Sequence, residues 1–202
     1  MAGSNGSRPN TLHTVIALVE DRPGVLNRVA SLFRRRGFNI ESLAVGHSET
    51  PGISRMTIVV DGANTVVEQV EKQLFKLIDV VRVADITQAP MVARELALVK
   101  VACTIANRAE VIQIAQVFRA DVVDVADASV TIQLSGDEDK NDAFIELMEP
   151  YGIKELARTG RVALTRGIAE STTVEEDEPE EVREFHAQAG RRPKKALPFV
   201  SD

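Results

Sequence analysis

The sequence predicts an α+β chain in which one order of elements, βαββαβ, is used twice in tandem and is followed by a charged tail. Three observations carry that reading: strand-like alternation opens each half, helix-like spacing of apolar residues follows it, and the composition changes sharply near residue 170. The chain length agrees, because 202 residues with 44% hydrophobic side chains suit one large or two small domains rather than an extended assembly, and the repeated order takes the count to two.

Leu12 to Glu20 alternates and is rich in β-formers, which predicts the first strand. Pro23 and Gly24 then open a stretch with apolar residues at Val25, Leu26, Val29, Leu32 and Phe33, the stripe of an amphipathic helix. Gly37 ends that helix, and Arg34, Arg35 and Arg36 form a cationic last turn that the macrodipole favours. Asn39 to Gly46 reads as a strand, Glu49 to Gly52 with Pro51 as a hairpin loop, and Ile53 to Asp61 as the returning strand. Val66, Val67, Val70, Leu74, Leu77 and Ile78 mark one face of a second helix, and a strand at Val80 to Thr87 closes the first unit.

Gln88 to Ala93, with Pro90, reads as a connection, after which the order starts again. Glu95 to Cys103 is a strand, and Arg108 to Phe118 is a helix with Val111, Ile112, Ile114, Ala115 and Phe118 on its apolar positions. Asp121 to Ala126 and Ser129 to Leu134 form a hairpin, Asp139 to Glu149 the next helix, and Ile153 to Arg158 and Arg161 to Thr165, separated by Gly160, finish the unit. Phe33 and Phe118 stand at matching places in the two first helices, as a structural repeat requires. Two such βαβ halves interleaved in one antiparallel sheet, with both helices on one face, make the ferredoxin-like arrangement. The expected organisation is a flexible start over residues 1–10, a first domain over 11–88, a second over 94–168, and a charged tail over 169–202. Glu175 to Glu181 is an acidic run and Arg191 to Lys195 a basic one, each holding a proline, so the tail is expected to be disordered.

The net charge of −6 is uneven: residues 170–202 hold nine acidic and five basic side chains, which leaves the folded part close to neutral. With aromatics at 4% and no basic face, the footprint of a nucleic-acid binder is missing. No apolar stretch approaches the roughly 20 residues of a bilayer span, and Met1 to Asn10 lacks an apolar signal core, so no membrane partner and a cytoplasmic location are expected. Cys103 has no partner for a disulfide and reads as a small buried residue on a strand. His13, His47 and His186 are scattered without nucleophile pairing or ligand spacing, so no catalytic or metal-ligating residue is expected.

The segment that points to function is Glu20-Asp21-Arg22-Pro23-Gly24-Val25-Leu26, between the first strand and the first helix. A helix start with Pro in its first turn and Gly beside it leaves backbone N–H groups open to close approach, and with the positive dipole end these suit a carboxylate such as that of a free amino acid. Asp21 is placed to cap the helix or to face a ligand's ammonium group. The second segment is Gly37-Phe38-Asn39-Ile40-Glu41-Ser42-Leu43, where Asn39 offers both an acceptor and donors and Ile40 offers apolar surface for an aliphatic side chain. Asp21 and Glu41 would serve binding and capping, since nothing pairs them for acid–base work.

Together the two segments resemble the ACT domain, a ferredoxin-like module that binds amino acids where two copies meet. The fuller run from Val19 to Leu43, V-E-D-R-P-G-V-L-N-R-V-A-S-L-F-R-R-R-G-F-N-I-E-S-L, with S-R-M-T-I at Ser54 to Ile58, is similar to the acetolactate synthase small-subunit family. The similarity continues through R-E-L-A-L-V-K-V at Arg94 to Val101, F-R-A-D-V-V-D-V at Phe118 to Val125 and R-T-G-R-V-A-L-T-R-G at Arg158 to Gly167. The resemblance implies a non-catalytic regulatory subunit that binds the large catalytic subunit, raises its activity and confers feedback inhibition by valine or a related amino acid. It implies a homodimer through the ACT domain, and no cofactor in this chain, with thiamine diphosphate, FAD and magnesium in the large subunit. Carried over by position, the effector-binding residues are Asp21, Gly24, Val25 and Leu26 from the loop and helix start, with Asn39 and Ile40 from the strand. The family often has Asn where this chain has Asp21, which keeps the capping oxygen but exchanges an amide for a charge. The alternative is a free-standing ACT-type amino-acid sensor acting on another partner; it requires a DNA-binding or catalytic module, and no such segment is visible in the sequence.

Overall fold

The computed structural model describes residues 12–167, so the expectations for residues 1–10 and for the charged tail lie outside the described residues. The first unit runs β1 (Leu12–Glu20), α1 (Val25–Arg36), β2 (Asn39–His47), β3 (Ile53–Asp61), α2 (Asn64–Leu74) and β4 (Val80–Asp85). Its sheet is antiparallel in the order β2-β3-β1-β4, with β1 matched to β3 from Leu12 against Asp61 to Glu20 against Ile53. Side chains alternate across a strand. Val15, Ala17 and Val19 of β1 therefore join Met56, Ile58 and Val60 of β3 beneath Val29, Phe33, Val70 and Leu74 of the helices in one buried core. Each fully buried Leu, Ile or Phe there contributes about 1.5–3 kcal/mol.

The second unit repeats the order: β5 (Met91–Ala102), α3 (Arg108–Val117), β6 (Asp121–Ala126), β7 (Ser129–Gly136), α4 (Glu138–Met148), a 3₁₀ turn over Glu149–Tyr151, and β8 (Ile153–Arg158). Its sheet has the order β6-β7-β5-β8. Val99, Val101, Ile132 and Leu134 pack beneath Val111, Ala115, Phe144 and Met148. The matched phenylalanines behave alike: Phe33 meets Phe38 edge-on at 5.9 Å between ring centres, and Phe118 meets Phe144 at 5.3 Å. Cys103, directly after β5, is buried.

Three expectations are corrected. The second helix stops at Leu74 instead of running to Ile78, because the chain turns twice, Leu77 N–H to Leu74 O and Val80 N–H to Leu77 O, to enter β4; Ile78 is left 49% exposed. The expected connection at Gln88 to Ala93 is partly strand, since β5 begins at Met91. The last strand, β9 (Val162–Thr165), does not finish the second sheet, whose fourth strand is β8. Instead β9 pairs with Met91 to Arg94, and this two-stranded ribbon lies on the face of the first sheet that the helices leave bare. There Ala163 packs with Ile16 and Ile86, flanked by Ala84, Ala89, Met91 and Ala93. The small side chains permit close approach, and Arg55 of β3 fixes the ribbon by donating from Nη2 to Ala163 O at 3.0 Å. Burial pulls the Arg55 guanidinium below its usual value, with Glu49 partly opposing that.

Candidate effector site at the start of α1

Gly24 holds φ +89° and occupies the N-cap of α1, with no side chain hydrogen-bonded to the helix start and no acidic residue in its first turn. Asp21 therefore does not cap the helix: its carboxylate lies 3.2 Å from His47 Nδ1 at the end of β2, while its backbone N–H donates to Gly52 O at 2.8 Å. The turn is closed by Val25 N–H to Arg22 O and Arg28 N–H to Gly24 O. In between stand the N–H groups of Leu26 and Asn27, which an α-helix cannot satisfy from within. Around Gly24 the space is open, with nothing within 4 Å of where a Cβ would stand. Val25 is buried and anchors the turn, whereas Leu26 is 46% exposed beside it. Arg28, one turn along, is held on the buried carboxylate of Asp79 at 2.6 and 2.8 Å, which fixes the helix start against β4.

Asn39 and Ile40 are elsewhere. They begin β2, whereas Asp21, three residues before Gly24, lies beside its last residue, His47. Eight residue steps at about 3.3 Å separate the two ends by roughly 25 Å. One chain thus does not bring the predicted site residues together: Asp21, Gly24, Val25 and Leu26 form one cluster, Asn39 and Ile40 another. Asn39 is exposed and its amide donates to Glu41; Ile40 is half-buried against the first core. Strand β2 is an edge of its sheet, paired on one side with β3 and bulged between Ile40 and Ser42.

Sequence reasoning missed His47 and Gly52 as partners of Asp21, and Gly160 and Arg161 as partners of β2. Gly160 was legible as a break but not as a contact, since nothing local encodes a meeting across more than a hundred residues. A polar cleft of about 610 Å³ opens between the units near the Asn39 end of the sheet, lined by Thr14, Glu41, Glu95, Glu138 and Arg161 among others. Among the described residues no three His, Cys, Asp or Glu side chains are grouped to hold a metal ion, and no helix is long and apolar enough to cross a membrane.

The first unit is of ACT type: residues 16–82 match the family described as the AHAS small subunit-like ACT domain. Residues 94–167 match the family described as the small subunit of acetolactate synthase. A probable acetolactate synthase small subunit of Archaeoglobus fulgidus is 57% identical over 155 residues, covering 77% of this chain and 97% of that one. The acetolactate synthase small subunit of Mycolicibacterium smegmatis is 49% identical over 164 residues, covering 81% and 95%. The crystal structure of the Thermotoga maritima small subunit superposes with a TM-score of 0.73 at 43% identity, covering 77% of this chain and 98% of that one. The chain belongs to the acetolactate synthase small-subunit family, in which it has the regulatory rather than the catalytic place.

Proposed function

We propose that this chain pairs with the large catalytic subunit of acetolactate synthase, raises its activity, and confers feedback inhibition by valine or a closely related branched-chain amino acid. The cofactors of the reaction, thiamine diphosphate, FAD and magnesium, belong in this reading to the large subunit. The observation that carries the effector site is the pair of half-sites at opposite ends of one edge strand, paired on one side only. An edge strand exposes a row of free N–H and C=O groups and invites a second copy. If two β2 strands pair antiparallel about a two-fold axis near Leu43, Asn39 of one copy faces His47 of the other, and with it Asp21 and Gly24. That isologous contact is the simplest closed assembly, and it completes two sites at once.

In such a site the ligand carboxylate accepts from the free N–H groups at the start of α1, where the dipole favours negative charge. Asn39 of the other copy takes the ammonium group, and Leu26 with Ile40 flanks the aliphatic side chain. A ligand held by both copies stabilises one dimer geometry, and inhibition follows if the large subunit prefers another.

Two inactive variants make the test. Gly24→Val and Asn39→Ala should each abolish valine binding and feedback inhibition while leaving activation of the large subunit largely intact. Mixed, they form heterodimers that retain one intact site, so calorimetry should recover binding at up to half the wild-type stoichiometry. Loss of activation together with inhibition, or no recovery on mixing, sinks the shared site. Titrating valine, leucine and isoleucine in turn ranks the effectors, which an aliphatic pocket separates by about 1–3 kcal/mol per methylene.

A further inference from the structure

We propose that the turn Thr159-Gly160-Arg161 is the mechanical link by which strand β2 reports its state to the second unit, with Arg161 as the positioning residue. This rests on the reading of β2 as the effector strand and adds to it where the signal goes. Gly160 lies against the backbone of β2 with no clearance: a Cβ there would collide with the Leu43 carbonyl and stand 3.0 Å from Ala44 N. The Arg161 backbone N–H donates to Ser42 Oγ at 2.7 Å, on the sheet face away from the helices. The Arg161 guanidinium then spans the two units, donating to Thr14 Oγ1 of β1 at 3.3 Å and to the carboxylate of Glu138, the first residue of α4. Behind it, Thr159 is tied to β5 by two hydrogen bonds, its N–H donating to Leu96 O and its Oγ1 accepting from Leu96 N–H, each at 3.0 Å.

The path from Asn39 and Ile40 to the second unit is therefore short: Ser42 and Leu43 touch the turn, and the turn touches α4. The place to yield lies just before it, because the β2 register shifts between Ile40 and Ser42. A bulge leaves one residue out of the ladder and bends the strand there, while pairing resumes on either side. Close-packed contacts with no void transmit a shift instead of absorbing it. Two clefts of about 610 and 410 Å³, both lined by Glu41, Glu138 and Arg161, adjoin the turn and leave the linked segments room to move. The neighbouring Arg158, paired with Glu95 at 2.8 Å and Asp142 at 2.6 Å, holds the end of β8 fixed as the pivot.

The test uses the full chain with its large subunit. Valine binding by calorimetry is read beside valine inhibition of the reconstituted enzyme for the wild type, Arg161→Ala, Arg161→Lys and Ser42→Ala. Arg161→Ala should bind valine within about threefold of wild type yet lose more than half of the maximal inhibition; Arg161→Lys should regain most of it, and Ser42→Ala should show a weaker version of the same split. Hydrogen exchange at the first turn of α4 should respond to valine in the wild type and not in Arg161→Ala. Wild-type inhibition in Arg161→Ala, or binding and inhibition falling together in the milder Ser42→Ala, overturns the link. A wild-type chain that binds none of the three branched-chain amino acids overturns the effector reading itself, which separates the two failures.

Discussion

The two units share an order of elements and differ most where their first helices begin. In the first, the start of α1 is a glycine in the left-handed region with open space around it and Leu26 half-exposed. In the second, the corresponding start also lacks a side-chain cap on the helix itself, but the loop before it is closed. Asn107 Oδ1 accepts from Thr104 N–H and Oγ1 at 2.7 and 3.2 Å, and Arg108 reaches over the loop to the carbonyls of Ala126 and Asp127 at 2.8 and 2.7 Å. Glu110 sits in the first turn of α3 and supplies the negative charge that a ligand carboxylate would bring. At the place of Asn39, the first residue of the second strand, the second unit has Asp121, whose side chain lacks the amide N–H donors of Asn39. The same scaffold thus makes an open helix end in one copy and, in the other, one whose loop is tied down and whose first turn carries its own acid.

The largest effect should come from closing the open start. Gly24→Val forces a β-branched residue to φ +89°, where non-glycine residues cost about 1–2 kcal/mol, and puts a side chain where the ligand carboxylate belongs. Effector affinity should fall at least a hundredfold by calorimetry; unchanged affinity would break the contrast between the two starts. Next come the carboxylates that pin each unit. Asp79→Ala removes the buried partner of Arg28, and Glu95→Ala that of Arg158. Each should cost about 2 kcal/mol by denaturant unfolding, with Asp79→Ala also weakening the effector response because it frees the start of α1.

The converse test is to open the closed loop. Arg108→Ala removes two hydrogen bonds from a charged donor to backbone carbonyls and should destabilise by about 1.5 kcal/mol. It should leave the stoichiometry of effector binding unchanged, because Glu110 and Asp121 remain. A second amino acid bound per chain in that variant would mean that the Arg108 seal alone decides which unit binds.

The smallest effect belongs to the outer faces of the sheets. The first sheet has its outer face covered by the β5–β9 ribbon, whereas the second leaves Leu98 and the pair Lys100–Glu155, 2.8 Å apart, in solvent. The Lys100 hydrogen bond, and then its charge, hold the Glu155 carboxyl below the usual carboxylate range. A depressed carboxyl lends its stability above the unfolded pKa and loses it as pH falls through the folded one, so this pair contributes at neutral pH and its contribution disappears in acid. Lys100→Met should return the Glu155 titration, followed by NMR, to the ordinary range. The change in stability should be slight, because exposed pairs contribute little.

Periodicity and turn chemistry made most elements legible, because they are local. The alternation in Leu12 to Glu20, the stripe Val25-Val29-Leu32-Phe33 and the left-handed glycines at Gly24 and Gly37 each follow from neighbouring residues alone. The pieces of the proposed site were readable in part: a glycine at the start of α1, and an amide with an aliphatic neighbour at Asn39 and Ile40, whereas the sequence offered Asp21 as a cap and the structure turns it to His47. What the tertiary structure alone decided is where those pieces lie. Strand β2 is long enough to hold Asn39 about 25 Å from its own far end at His47, where Asp21 lies, a separation that no local pattern shows. The ribbon of β5 and β9 and the seat of Gly160 on Leu43 likewise join residues far apart in the chain. Such contacts depend on which faces are left uncovered once the sheets form, and no local pattern carries that information.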